Sequence, residues 1–197
     1  MNFESDQLRA ALIPAGEAVP TNTRGSTDAA VLAPLFGVGE RPGLVFTERR
    51  EDLRRHAGEI SLPGGRPEPG EDLLTAALRE AEEEIGLDPG EVEVLGALPP
   101  VSTVVTGYMI HTFVGLIPSG LAFEPNPAEV AAVLLLHIDE LEAGFAKRRL
   151  VRRGVPIKTE TYVVGDHLVW GATARILSTL FARALVQAPG ARSPRRR

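Results

Sequence analysis

The chain has 197 residues, no cysteine and a formal net charge of −5. That length fits one large domain, or one domain with extensions, and suffices to bury a self-supporting apolar core. The missing cysteines exclude disulfides, thiolate metal sites and cysteine nucleophiles, and the acidic balance argues against a general nucleic-acid binder. No apolar run approaches the roughly 20 residues that cross a bilayer, so no membrane partner is expected. The opening MNFESDQLRAALIP is acidic where a secretion signal is basic. A cysteine-free chain suits a reducing compartment, and the expected location is the cytoplasm.

In chain order, residues 3–13 predict a short helix with Ser5 as its N-cap. Residues 14–27 are rich in Pro, Gly, Thr and Asn and read as a linker. AAVLAPLF (29–36) and GLVFT (43–47) are short apolar runs around a Gly- and Pro-containing turn, which predicts paired strands. A charged segment, RREDLRRH (49–56), leads into a loop and an acidic helix. Strands are then expected over 91–98, 108–117 and 130–138, with a short helix near 139–145. A basic stretch with a turn glycine (147–156) leads to a returning strand at 159–164. The last helix is expected over 170–186, where Ile176, Leu177, Leu180, Phe181 and Leu185 follow helical spacing. Residues 1–28 read as an N-terminal extension and linker, 29–187 as one domain, and 188–197 as a disordered tail. Strands with two main helices give an α+β class.

The loop and acidic helix between 58 and 87 look like chemistry. Gly70 breaks the loop, Asp72 caps the helix and Gly86 closes it. Leu73, Leu74, Ala77, Leu78, Ala81 and Ile85 form the packing face. Glu80, Glu83 and Glu84 share another face at i, i+3 and i+4. Like charges at that spacing repel, and the C-terminal half of a helix disfavours anions. A solvated acidic face accounts for many such runs. Here, however, Pro63-Gly64-Gly65 precedes the helix and lets the backbone approach a ligand closely. Hard oxygens on one face suit Mg²⁺, with Mn²⁺ as the alternative. Arg79 is expected to pair with Glu71 across the loop–helix junction, which makes Glu71 structural.

From Gly65 the residues run five places to Glu71, seven more, then Arg79-Glu80-Ala81-Glu82-Glu83-Glu84-Ile85-Gly86-Leu87. This resembles the Nudix box at every fixed position. The resemblance implies an α/β/α sandwich with a mixed sheet. It also implies Mg²⁺-dependent hydrolysis of nucleoside diphosphates linked to another moiety, with Glu80, Glu83 and Glu84 at the metal. Upstream, Thr47, Arg54, Gly58 and Pro63-Gly64-Gly65 are spaced as in the coenzyme A pyrophosphatase signature. Val45-Phe46, Arg50 and Leu62 depart from it. Stretches at 99–108, 126–130 and 169–174 are similar to the same subfamily.

That resemblance implies cleavage of coenzyme A or a derivative to 4′-phosphopantetheine and adenosine 3′,5′-bisphosphate. The alternatives are another nucleoside diphosphate derivative (ADP-ribose or NADH) and a non-catalytic nucleotide-binding regulator. Arg49 and Arg54 are candidates for a substrate phosphate, with Gly64 and Gly65 beneath the pyrophosphate and Tyr108 against the base. Glu129 is a candidate general base, with Glu124 and Glu59 as others. His111 and His137 lie in apolar strands and read as packed residues. Trp170 reads as core at the start of the last helix. The motifs G-x4-G-K-[ST], H-E-x-x-H and G-x-S-x-G are absent.

Overall fold

A computed structural model describes residues 4–20, 26–50, 52, 58–103, 107–152 and 155–186. Four α-helices are formed: α1 (Ser5–Ala11), α2 (Leu73–Ile85), α3 (Ile138–Ala143) and α4 (Gly171–Val186). The strands are β1 (Thr27–Phe36), β2 (Gly43–Arg49), β3 (Ile60–Ser61), β4 (Gly64–Gly65), β5 (Glu93–Ala97), β6 (Val101–Ser102), β7 (Tyr108–Leu116), β8 (Val130–His137), β9 (Phe145–Arg152), β10 (Val155–Val164) and β11 (His167–Trp170). The expected 188–197 tail lies outside the described residues.

β1 to β8 make one mixed sheet. β1 runs parallel to β7 from Thr27↔Tyr108 to Leu35↔Leu116 and antiparallel to β2 and β4. β8 pairs with β2. β1 is buried on both faces, which suits its near-continuous apolar sequence. Ala30 and Leu32 face α2, where Leu73, Ala77, Ala81 and Ile85 of the predicted stripe are buried together with Ala76, while Leu74 and Leu78 are partly buried. Ala33 and Leu35 face the other way, into a core shared with Leu177, Leu180 and Phe181 of α4 and with Leu8 of α1. The result is three layers, helix on sheet on helix.

The sequence reading needs four corrections. Glu4, not Ser5, occupies the N-cap of α1. The helix ends at Ala11 rather than at 13, and Ile13 instead exchanges backbone hydrogen bonds with Ala97 (2.9 and 2.7 Å) as an isolated bridge. Phe145 opens β9 rather than closing the helix before it. Trp170 is the last residue of β11, paired with Thr161, and the helix starts at Gly171. Gly165-Asp166 makes a two-residue turn. That turn folds HLVW back on β10 as a small hairpin. β9, β10 and β11 form a separate three-stranded antiparallel sheet.

Candidate active site

The ends of α2 are fixed by local chemistry. Asp72 accepts from the Leu74 and Thr75 amides (both 3.0 Å) and from the Thr75 hydroxyl (2.6 Å). These bonds satisfy amides that have no partner inside the helix. Gly86 closes the helix at φ 68°, a conformation that favours glycine, and its amide donates to Glu82 O.

Arg79 organises the first half of the site. Its guanidinium forks onto Glu71 (Nε–Oε1 2.9 Å, Nη2–Oε2 3.1 Å) and donates to the Arg66 carbonyl. Glu71 also accepts from the Glu68 amide at 2.8 Å. Arg79 holds the Glu71 carboxyl below its ordinary range, and Glu71 in turn pushes the guanidinium up. Arg79 Nη1 reaches Glu80 (3.1 Å) and Glu83 (3.0 Å) as well.

The second half is the reverse. β4 lies against Ala30 and Val31 of β1, and α2 crosses above it. The Gly64 amide donates to Glu84 Oε2 at 3.2 Å. A Cβ on Gly65 would stand 2.4–2.6 Å from the Glu80 carboxylate, so the glycine leaves the space that Glu80 fills. Gly64 has φ 149°, and a Cβ there would meet Ala30 O at 2.4 Å. Burial pushes the Glu84 carboxyl up to about 7, against the pull of the Gly64 amide; the charges of Glu80 and Glu129 add to the rise, and Arg49 opposes it. Burial raises Glu80 too, partly offset by Arg79.

A loop over 118–129 closes this half. The Glu124 amide donates to Ile85 O and the Asn126 amide to Glu84 O, both at 2.9 Å, so the last carbonyls of α2 are satisfied. Glu129 then meets Arg49 Nη1 at 3.3 Å. Arg49 Nε is buried without a partner, a donor left over inside the site.

Residues 26–154 match the NUDIX domain. The chain belongs to the Nudix hydrolase family. The uncharacterized Nudix hydrolase NudL of Photorhabdus laumondii is 38% identical over 155 residues, covering 77% of this chain and 82% of that protein. The NudL of Citrobacter koseri is 39% identical over 161 residues, covering 80% and 83%. Among solved structures, a binary complex of the Caenorhabditis elegans Ap4A hydrolase superposes with a TM-score of 0.56 at 14% identity, covering 81% of this chain and 98% of that one. A MutT/nudix family protein from Enterococcus faecalis gives a TM-score of 0.55 at 14% identity, covering 87% and 66%. Those two likenesses show the fold alone. The family match ends at 154, so α4, which covers the sheet face opposite α2, lies beyond it.

Nudix hydrolases act on phosphoric anhydrides, generally with divalent ions such as Mg²⁺. Among the described residues no three His, Asp or Glu side chains converge into a ready-made metal cage. The sequence-predicted trio divides instead. Glu80 and Glu84 lie over the Gly64-Gly65 backbone, whereas Glu83 is 56% exposed and turned onto Arg79. The donors still fit a hard cation. They are carboxylate oxygens, and Glu84 is partly buried with one amide partner.

The structure brings Arg49, Gly64, Gly65 and Glu129 to these carboxylates. Tyr108 does not join them; it opens β7 beside Thr27, three residues along β1 from the Ala30–Gly65 pair. Arg54 lies outside the described residues. Glu124 is exposed at the C-terminal end of α2. His111 is buried on Asp28 at 2.8 Å, and His137 lies edge-on to Phe36. Sequence reasoning assigned no role to Arg50, whose guanidinium donates to the Pro127 carbonyl. No helix among the described residues is long and apolar enough to cross a membrane.

Proposed function

We propose that this Nudix hydrolase is a cytoplasmic, Mg²⁺-dependent enzyme that cleaves the pyrophosphate of coenzyme A or its derivatives. The products are 4′-phosphopantetheine and adenosine 3′,5′-bisphosphate. One observation carries the reading. The described residues of the segment that resembles the coenzyme A signature, 47–50 and 58–65, include the paired β2 and β3 and lead into Gly64-Gly65 beneath Glu80 and Glu84. Thr47 pairs with Ser61, the Arg49 amide donates to Glu59 O and the Gly58 amide to Arg49 O. The described residues of that segment thus adjoin the carboxylates, which supports the reading.

In this reading Glu80 and Glu84 hold the metal, with Glu83 completing the set once it leaves Arg79. Bound Mg²⁺ supplies charge neutralisation on the phosphates and a lowered pKa for the attacking water. Gly64 and Gly65 keep side chains away from the pyrophosphate. Glu129 receives the proton of the attacking water. Arg49 and Arg54 pair with a phosphate of the adenosine end, and Tyr108 lies toward the base.

The test is a side-by-side Mg²⁺-dependent assay on coenzyme A, its acyl esters, ADP-ribose and NADH. Coenzyme A or an acyl ester is expected to turn over fastest. ADP-ribose far ahead of both removes the coenzyme A reading and keeps the hydrolase. No turnover of any diphosphate, with Mg²⁺ or Mn²⁺, leaves a nucleotide-binding regulator.

A further inference from the structure

The reaction proposed above needs the Glu129 carboxylate held in one place relative to Glu84. Glu129 lies on a loop, and its side chain is half exposed. Two anchors fix that loop. The first is the C-terminal turn of α2, where Glu84 O accepts the Asn126 amide at 2.9 Å. The second is Arg50. Its amide donates to Glu129 O at 3.1 Å, and its guanidinium donates to the Pro127 carbonyl. Asp52 holds that guanidinium by a fork (Nε–Oδ1 2.9 Å, Nη2–Oδ2 2.6 Å).

Between the anchors the chain is a tight turn. Asn126 Oδ1 accepts the Ala128 amide at 3.0 Å, and Asn126 O accepts the amides of Glu129 (3.1 Å) and Val130 (2.9 Å). Asn126 therefore ties the backbone of Glu84 directly to the turn that carries Glu129. The β2–β8 register shifts between Glu48 and Arg49, at the strand end where the turn is gripped. Arg49 still pairs with Val130 there, so Arg50, the next residue, lies against Glu129.

The geometry points to Arg50 as a positioning residue that acts through Glu129. It rests on the hydrolase reading and adds to it a named control on the proton acceptor. Arg50 touches none of the site carboxylates. Its exposed pair with Asp52 contributes little to stability by itself. What the fork does is orient the guanidinium toward the Pro127 carbonyl, two residues before Glu129.

The test compares Arg50→Ala, Arg50→Lys, Glu129→Gln and the Arg50→Ala/Glu129→Gln double variant in the full chain. Arg50→Ala is expected to lower kcat about tenfold, because a small displacement of a reacting group is costly. KM for the same substrate stays within about twofold. Arg50→Lys, which still reaches the carbonyl, recovers most of the rate. In the Glu129→Gln background Arg50→Ala has no further effect, as required of a residue that acts through another. A fully additive loss, or a rise in KM that matches the fall in kcat, overturns the inference. If wild type is active and Glu129→Gln equals it, the clamp has nothing to position and the inference falls while the hydrolase reading stands. Amide hydrogen exchange decides the case without any substrate. Exchange at Glu129 and Val130 is expected to speed up about tenfold in Arg50→Ala. Unchanged exchange there removes the clamp whatever the protein hydrolyses.

Discussion

The loop–helix unit presents the same side chain in two opposite settings. Glu71, before the N-terminus of α2, is gripped by Arg79 and the Glu68 amide and held below its ordinary pKa. Glu84, at the other end, is partly buried, has the Gly64 amide as its hydrogen-bond donor, and is pushed by that burial up to about 7. One carboxylate is held by a guanidinium fork and an amide, the other by a single amide. The difference teaches where structure ends and chemistry begins on one short segment, since a satisfied charge stabilises and an unsatisfied one binds.

The largest expected effect comes from removing the unsatisfied charge. Glu84→Gln keeps the shape and the Gly64 bond, so the fold should persist. Its kcat should fall about 10²-fold or more, because a charge at the reacting phosphates is lost. Near-wild-type turnover in a steady-state assay would move the metal site elsewhere on the protein.

The satisfied end should respond in stability instead. Arg79→Lys keeps a positive charge but loses the fork onto Glu71, which a point ammonium cannot replace. The expected cost is about 2 kcal/mol, the scale of a charge-assisted hydrogen bond. That lowers Tm by roughly 4–8 °C for a domain of this size. A thermal melt that matches wild type would show that the Glu71–Arg79 pair does not hold the loop to the helix.

Between these extremes lies Gly65→Ala. The added methyl meets the Glu80 carboxylate at 2.4 Å. A flexible side-chain end can give way, so stability changes little. The carboxylate moves, and kcat should fall about tenfold. An unchanged rate at unchanged Mg²⁺ dependence would show that Glu80 has no fixed part in the site.

How much of this was readable from the chain depends on range. α2, its caps and its apolar face were legible because they rest on contacts within one or two turns. The Glu71–Arg79 pair, eight residues apart, was legible as opposite charges across the loop–helix junction. The opposite electrostatics of Glu71 and Glu84 were not. They depend on β4 lying against β1, which buries Glu84 under a strand of two glycines. Nor was the role of Arg50, whose partner Pro127 is 77 residues away. Spacing put Glu83 with Glu80 and Glu84, as helical geometry requires of the backbone. It could not show that Arg79 draws the Glu83 side chain aside. The missed β11 was a local failure, since the Gly165-Asp166 turn was there to be seen.

The smallest effect separates the two carboxylates most directly, through the pH dependence of stability in the metal-free protein. Glu84 has a folded pKa of about 7 against an ordinary value of 4.5. Below 4.5 both states keep the proton and nothing is lost. Between 4.5 and 7 the unfolded chain ionises while the folded one resists, so stability falls as pH rises. Glu71 has the opposite sign. Its folded pKa is depressed, so its contribution is complete above the ordinary carboxylate value and is lost as pH falls. Neither group alone can give a slope above about 1.4 kcal/mol per pH unit. With EDTA present, denaturant melts from about pH 2 to 8 should therefore divide by variant. Glu84→Gln should flatten the decline toward neutral pH and leave the acid side unchanged, and Glu71→Gln should flatten the acid side alone. If the two variants alter the same limb, the two ends of the unit do not differ as their surroundings require. Adding Mg²⁺ should then reverse the Glu84 limb in wild type, because an ion bound to the carboxylate favours its ionised form, and should leave the Glu71 limb where it was.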